Sequence, residues 1–351
     1  MLRDQVEKGP FMVAEIGANH DGSPEKAHRL IDEMADAGAD AAKFQLYTAA
    51  QLVADYDRLV RWGRPGRQQQ ERVGEMFDRI ALPRDAYPEV FAHCRERGLE
   101  PFATVFDPVD LDFVLNLGQR LCKVSSGDVN YKNLLAAIAE TGMPVLISGG
   151  KCTLGELVRA VEVLEQGGGD LCVMHCVAAY PAPVDEANLR VLQGYAVQFP
   201  EAVLGFSDHT EGVICALGAV ALGALVIEKH VTYDQQAMGP DHWFSATGAE
   251  FAMLAAQCRA LYKALGTSRK KILACEATGA KFGRRSIVAA RDLPAGHRIN
   301  AADLAYLRPG TGIDPFDERL VVGAVCKCDI KRNSLLSYET LEFLGGDQGI
   351  F

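Results

Sequence analysis

Apolar positions along the chain fall into short hydrophobic runs, separated by longer stretches in which apolar residues recur at helical intervals. The candidate strands are residues 11–16, 41–46, 101–104, 121–125, 144–148, 171–176, 203–207 and 225–230. Runs this short and nearly unbroken read as strands buried on both faces, as in a parallel sheet. Helical patterns occupy residues 23–37, 84–97, 109–116, 132–141, 153–166, 187–199, 213–223 and 249–265. Helix exits carry glycine, as at Ala37-Gly38 and Arg97-Gly98. Eight strand–helix units in succession predict an α/β fold, a closed (β/α)8 TIM barrel over residues 1–266. An open doubly wound sheet is the alternative. It normally announces itself by a Gly-rich phosphate loop after the first strand, and Gly17-Ala18-Asn19-His20-Asp21-Gly22 does not match G-x-G-x-x-G.

Two stretches depart from the alternation. Residues 52–80 form a longer connection than usual after the second strand, with Trp62-Gly63-Arg64-Pro65-Gly66-Arg67 and three consecutive glutamines. Such an insertion sits at the catalytic face of a barrel, either as a lid or as a flexible loop. Beyond the barrel, residues 267–283 read as a linker whose Arg269, Lys270 and Lys271 are a solvated face. Residues 284–343 then predict a small β-rich domain with many turns and little core of its own, and residues 344–351 a C-terminal tail.

Composition narrows the function classes. Hydrophobic residues make up 48% of the 351 and charged residues 23%, ordinary for a soluble globular enzyme. The net charge of −10 and the lack of a basic face argue against nucleic acid as a partner. An acidic protein that binds an anion must do so with a local cluster of cations and backbone N–H groups. The ten cysteines include no C-x-x-C pair and read as buried reduced thiols. The N-terminus has no signal-peptide apolar region, and the longest apolar run, 213–227, is broken by glycines and too short to span a bilayer. These features predict a cytoplasmic protein with no membrane partner.

In a TIM barrel the reacting groups stand at the C-terminal strand ends. Here those ends carry Glu15, Lys43 with Gln45, Thr104, Lys123 with Ser125 and Ser126, Ser148, His175, Ser207-Asp208-His209 and Glu228-Lys229-His230. His209 and His230 end consecutive strands, which suits a metal bound by few protein ligands; alternatively each caps its strand by hydrogen bonding. A buried Lys is costly unless paired with an anion. The strand-end lysines therefore point to an anionic ligand or to an imine-forming Lys, or else they pair with Glu15, Asp208 and Glu228. Ser126-Gly127 and Ser148-Gly149-Gly150 add hydroxyls and accessible N–H groups of the kind that line a phosphate pocket.

The ordered set of motifs resembles the sialic acid (nonulosonic acid) synthase family. It comprises Ala14-Glu15-Ile16-Gly17-Ala18-Asn19-His20-Asp21-Gly22, Lys43-Phe44-Gln45, Phe106-Asp107, Lys123-Val124-Ser125-Ser126-Gly127, His175-Cys176 with Tyr180-Pro181, Asn188-Leu189-Arg190, Gly205-Phe206-Ser207-Asp208-His209-Thr210, Glu228-Lys229-His230 and Gly239-Pro240-Asp241. The tail from Arg284-Arg285-Ser286 through Arg308-Pro309-Gly310-Thr311-Gly312 looks like that family's antifreeze-like (SAF, β-clip) domain. The resemblance covers nearly the whole chain.

That resemblance implies condensation of phosphoenolpyruvate with an N-acylated mannosamine-type aldose, giving a nine-carbon keto acid and phosphate. It implies a divalent metal, usually manganese with magnesium or cobalt as substitutes, on His209 and His230, and a domain-swapped homodimer. Lys43, Thr104, Lys123, Ser126, Ser148 and Ser207 would hold phosphoenolpyruvate; Gln45, Tyr180 and Asp241 would contact the sugar. Arg308 would reach the partner protomer's sugar site, and Glu15 is the candidate for positioning or deprotonating water.

Three departures bear on the acceptor. Asp128 stands in the substrate pocket where the family commonly has Glu, Ser148-Gly149-Gly150-Lys151 replaces the common Ser-Thr-Gly-Met, and Ala178 stands where a polar residue is frequent. A legionaminic or pseudaminic acid precursor is thus as compatible as N-acetylmannosamine. The competing functions are a related phosphoenolpyruvate-dependent 3-deoxy-ulosonate synthase with another aldose, a Schiff-base aldolase using Lys43 or Lys123, and a non-enzymatic carbohydrate- or ice-binding protein.

Overall fold

The computed structural model describes residues 2–343. The chain divides into a compact unit ending at Gly266 and a second unit beginning at Thr267; the tail expected at residues 344–351 lies outside the described residues.

In the first unit, eight parallel strands close into a barrel: β1 (Phe11–Glu15), β2 (Ala41–Leu46), β3 (Glu100–Val105), β4 (Cys122–Val124), β5 (Val145–Ser148), β6 (Leu171–Cys176), β7 (Val203–Asp208) and β8 (Val226–His230). Each pairs with its neighbours in sequence, and β1 closes the ring against β8. Because side chains alternate across a strand, each strand feeds two cores. Val13, Ala41, Phe102, Leu146, Met174 and Val226 fill the barrel interior, together with Leu2 and Val6 of a short helix at the start of the chain. Met12, Phe44, Val124, Ile147, Val173, Phe206 and Ile227 point outward into the layer shared with the helices.

The helices form where capping and apolar spacing agree. In Pro24–Asp36 the Ser23 side chain accepts from the Lys26 N–H at 3.2 Å, Pro24 occupies the first turn, and Ala27, Leu30, Ile31 and Met34 are buried at helical spacing. Leu154–Glu165 and Gly248–Leu265 open on capping boxes, Thr153 with Glu156 and Thr247 with Glu250. The helix expected over 187–199 starts only at Val191, after a 3-10 turn at Val184–Glu186.

The insertion after β2 is ordered. A short helix (Ala49–Leu52) leads into an antiparallel hairpin of Leu59–Trp62 and Gln69–Arg72, followed by the helix Val73–Ile80.

The second unit begins with residues anticipated as a linker, yet Ala274–Glu276 and Ala277–Gly283 are helical. It then forms two small antiparallel sheets, Ser286–Ala289 with Leu304–Leu307 and Val325–Cys326 with Leu341–Glu342. Contrary to the expectation of little core, Ile287, Leu293, Ile299, Val321, Leu336 and Leu341 pack into a buried cluster of their own. Buried Asp303 ties its loops by accepting from Arg291 Nε at 2.8 Å and meeting His297 Nε2 at 2.7 Å.

Candidate active site

Strand parity decides which polar strand-end residues meet. The interior face of each strand continues at its C-terminal end into Glu15, Lys43, Gln45, Thr104, Lys123, Ser148, Ser207, Glu228 and His230. All but Glu15 line one cleft of about 730 Å³ at the strands' C-terminal ends, together with Ser126, Asp128, Tyr180, His209 and Asp241. Glu15, fully buried, touches the cleft through Lys43 and Gln45. The outward set is different. His175 turns away and bonds the Ala187 carbonyl at 2.7 Å. Lys229 and Asp208 pair at 2.8 Å behind the barrel wall, so Lys229 is not among the cations of the cleft.

The floor is a shared ion cluster. Glu228 Oε2 accepts from Lys123 Nζ at 2.7 Å, while its Oε1 lies 3.3 Å from Lys43 Nζ and accepts from Ser207 Oγ at 3.0 Å. Lys43 also meets Glu15 Oε2, and Glu15 Oε1 accepts from Gln45 Nε2 at 3.0 Å. Burial pulls the Lys43 ammonium down to about 8 against the opposing pull of Glu228. Burial would raise the Glu228 carboxyl, but Lys123 and Lys43 outweigh it and hold it far below the usual carboxylate range, so Glu228 is ionised. Around this cluster the Thr104 and Ser148 hydroxyls and one Asp128 oxygen are buried without a hydrogen-bond partner. Unsatisfied buried polar groups are rare, and three on one cleft mark unused binding capacity. Ser126 is held in place by the Gly150 N–H at 3.1 Å.

Across the floor stand the imidazoles. His209 Nδ1 bonds the Val177 carbonyl at 2.9 Å, which makes it the N–H and leaves a lone pair on Nε2. The His209 and His230 rings lie 5.2 Å apart, with Tyr180 tilted over His209 at 4.3 Å. Burial holds both imidazoles neutral: His209 is drawn down to about 4, and His230 is drawn well below the usual imidazole range, with His209 and Lys43 adding to burial. His230 Nδ1 has no hydrogen-bond partner; Asp241 Oδ2 is 3.6 Å away. Burial raises the Asp241 and Asp128 carboxyls to about 6 each. Among the described residues no group of three or more His, Cys, Asp or Glu side chains gathers to hold a metal. The two neutral imidazoles, His209 and His230, are donors of the type a divalent cation accepts.

Loops behind the cleft hold His230 and Asp241 in place. Buried Asn19 donates to the Val231 carbonyl and to Ser245 Oγ, both at 2.8 Å, and Ser245 Oγ donates to the Asp241 carbonyl at 2.6 Å. Asp21 meets His242 Nε2 at 3.1 Å, and His242 Nδ1 meets Thr232 Oγ1 at 2.6 Å. Sequence reasoning assigned Asn19 and Asp21 no role, because their partners Val231, Ser245 and His242 lie more than 200 positions away. Arg308 belongs to the second unit, exposed in the turn after Leu304–Leu307, where Ser286 Oγ donates to the Pro309 carbonyl at 2.8 Å.

Known proteins resemble this chain over most of its length. The NeuB family model matches residues 30–270, and the SAF domain model matches residues 284–342. N,N'-diacetyllegionaminic acid synthase of Campylobacter jejuni is 32% identical over 332 residues, 94% of this chain and 99% of that protein. N-acetylneuraminate-9-phosphate synthase of Mus musculus is 31% identical over 95% of this chain and 92% of its own length. The crystal structure of N-acetylneuraminic acid synthetase from Leptospira borgpetersenii, solved with citrate, has a TM-score of 0.69 at 30% identity, covering 77% of this chain and 90% of that one.

Proposed function

Since this chain belongs to the NeuB family, we propose that it is a phosphoenolpyruvate-dependent synthase, joining that substrate to an N-acylated mannosamine-type aldose to give a nonulosonic acid and phosphate. The observation that carries the reading is the juxtaposition, on one cleft, of paired lysines, unpartnered hydroxyls and two neutral imidazoles.

Lys43 and Lys123 neutralise the phosphate and carboxylate, with Thr104, Ser126, Ser148 and Ser207 supplying hydroxyls. Gln45, Asp128, Tyr180 and Asp241 contact the aldose. C3 of phosphoenolpyruvate forms a bond to the aldehyde carbon, and the aldehyde oxygen takes up a proton. With the C2=C3 π pair spent, water adds at C2 and gives one proton to Glu15, matching the one taken up by the aldehyde oxygen; the C2–O bond to phosphate then breaks as the C2 hydroxyl proton passes to the departing phosphate and the ketone forms. A divalent cation, manganese with magnesium or cobalt as substitutes, held by His209 and His230, would supply polarisation of the aldehyde. The enzyme acts in the cytoplasm as a domain-swapped homodimer in which Arg308 serves the partner's cleft.

The test is phosphate release from phosphoenolpyruvate against a panel of aldoses, before and after chelation and with manganese restored. Release that needs both an aldose and the metal supports the reading; no release with any aldose overturns it. For the dimer, an Arg308→Ala chain mixed with a Lys43→Ala chain should regain activity after verified subunit exchange, because the mixed dimer has one intact composite site. Persistent inactivity shows that the site is not shared.

A further inference from the structure

Charge is unevenly spread over this acidic chain, and the insertion after β2 holds the exception. Residues 58–70 of its hairpin contain Arg58, Arg61, Arg64 and Arg67 and no acid, in a chain of net charge −10. Gly63 and Gly66, at φ 98° and 84°, turn the backbone between the two strands, and the Arg67 N–H donates to the Arg64 carbonyl at 2.9 Å, so these two arginines stand at the tip. Arg58 lines the cleft. Arg64 lines a separate hollow of about 270 Å³ with Trp243 and Phe244, which follow Asp241 in the chain. The hairpin thus borders the active-site face. All four arginines are exposed, and among the described residues none of their side chains makes an ion pair, a hydrogen bond or a ring contact. Four acids of the insertion are held by other partners. Glu71 takes Arg79 and Trp62, Asp57 and Glu75 lie 3.5 and 3.2 Å from Arg72, and Asp78 accepts from Tyr56. Glu211 and Glu250 share the hollow with Arg64 but form no ion pair with it. On the loop after β5, Lys151 is a fifth exposed cation; it lines the same cleft and has no ion pair among the described residues, with Asp128 close enough for its carboxyl to be drawn down by the lysine charge.

The floor of the cleft supplies no such surplus. Lys43 and Lys123 are matched there by Glu15 and Glu228, so their charges cancel beyond contact range. Phosphoenolpyruvate carries a phosphate and a carboxylate, about three negative charges together, and a chain of net charge −10 repels it from a distance. Unneutralised cations at the mouth reverse the sign of the field where that substrate enters. We propose that the arginine hairpin, aided by Lys151, is an electrostatic capture surface for the small anionic substrate, which speeds its entry without touching the reacting atoms. The identity of the anion rests on the synthase reading. A small anion suits the hairpin better than a long polyanion, because the rest of the chain is acidic.

The experiment measures kcat/KM for phosphoenolpyruvate, by phosphate release with the best aldose of the panel saturating, at ionic strengths from about 0.02 to about 0.5 M. It compares the full chain with a triple variant, Arg61→Gln, Arg64→Gln and Arg67→Gln; Arg58 and Lys151 stay in place because they line the cleft. At the lowest salt the triple variant should lose about tenfold in kcat/KM while kcat holds, and the gap should close to within about twofold at the highest salt. Lys at the same three positions keeps the charge and should keep the salt dependence of the parent. Arg64→Glu alone should act in the direction of the Gln variant and covers the case in which the triple variant does not fold. Equal salt dependence in parent and variants, with turnover intact, overturns the proposal and leaves the synthase reading standing. A loss that persists at high salt, or one that comes with a changed oligomeric state, overturns it too, since the arginines would then act by contact. No release with any aldose overturns the synthase reading, and the proposal with it.

Discussion

Lys123 and Lys229 have nearly identical surroundings by simple measures. Each is 2% exposed, and each meets a carboxylate at 2.7–2.8 Å. What differs is which way the strand turns them and what is left over. Lys229 lies behind the barrel wall in a closed arrangement: Asp208 Oδ2 takes the ammonium, Asp208 Oδ1 accepts from both the Thr210 N–H and its hydroxyl, and the Thr210 carbonyl accepts from Lys229. Lys123 faces the cleft in an open arrangement, sharing Glu228 with Lys43 beside hydroxyls that have no partner. Burial and pairing alone do not mark a binding site. Surplus hydrogen-bonding capacity facing a cavity does.

Substitutions can break this contrast. The largest effect is expected for Lys229→Met, which leaves Asp208 charged, buried and without its cation. Breaking a buried pair costs about 3–5 kcal/mol, read as a lower urea midpoint, while activity per folded molecule stays within about twofold. Lys123→Ala should do the reverse. Glu228 keeps Lys43 and Ser207, so the midpoint moves little, but loss of the proposed contact to phosphate should raise the phosphoenolpyruvate requirement by about 1.5–3 kcal/mol of binding. A large stability loss for Lys123→Ala with unchanged kinetics would erase the distinction.

Protonation sharpens it further. His20 is buried, and burial draws its imidazole down from the ordinary histidine range to about 4. Between pH 6.5 and 4 the unfolded chain binds the proton that the folded chain refuses, so stability falls as pH falls through that window and is flat above it. From pH 7 to 5 the share of one such group is about 2 kcal/mol. His20→Phe should therefore flatten the acid limb of the stability curve by about that amount; an unchanged slope would remove His20 from the account. The smallest effect is expected for Asp21→Asn, which weakens the Asp21–His242–Thr232 chain. Acceptor KM should rise about tenfold, equal to about 1.4 kcal/mol, with phosphoenolpyruvate KM unchanged and Asp21→Glu recovering part of the loss. Equal changes in both KM values would mean a general loosening instead.

The barrel was legible because each strand is a dense apolar run, and residues such as Val13, Met174 and Ile227 have no other use for their positions. The cleft was half legible. Parity separates Glu228 and His230 from Lys229, and it could have been read from the alternation alone. The insertion was harder. The strand Leu59–Trp62 alternates in burial, but Gln69–Arg72 half-buries only Glu71, and Arg and Gln dominate its sequence. The following helix hides its Val73, Met76, Phe77 and Ile80 spacing behind Gly74, and its N-cap, Arg72, makes no side-chain capping hydrogen bond. The Asn19 and Asp21 contacts were out of reach, since a polar loop residue gives no local sign of a partner more than 200 positions later.

One seam in the ring has a consequence for how the chemistry comes into being. β1 and β8 are the first and last strands, and Glu15 is in register with His230 on one side and with Lys43 on the other. Glu15 and one of the two imidazoles are thus brought side by side only when the two ends of the barrel find each other across more than 200 residues. Loop closure over such a distance comes late in folding. An unclosed half-barrel holds the parts of the catalyst but no working fraction of it, so activity and ring closure should appear together in refolding as a single event.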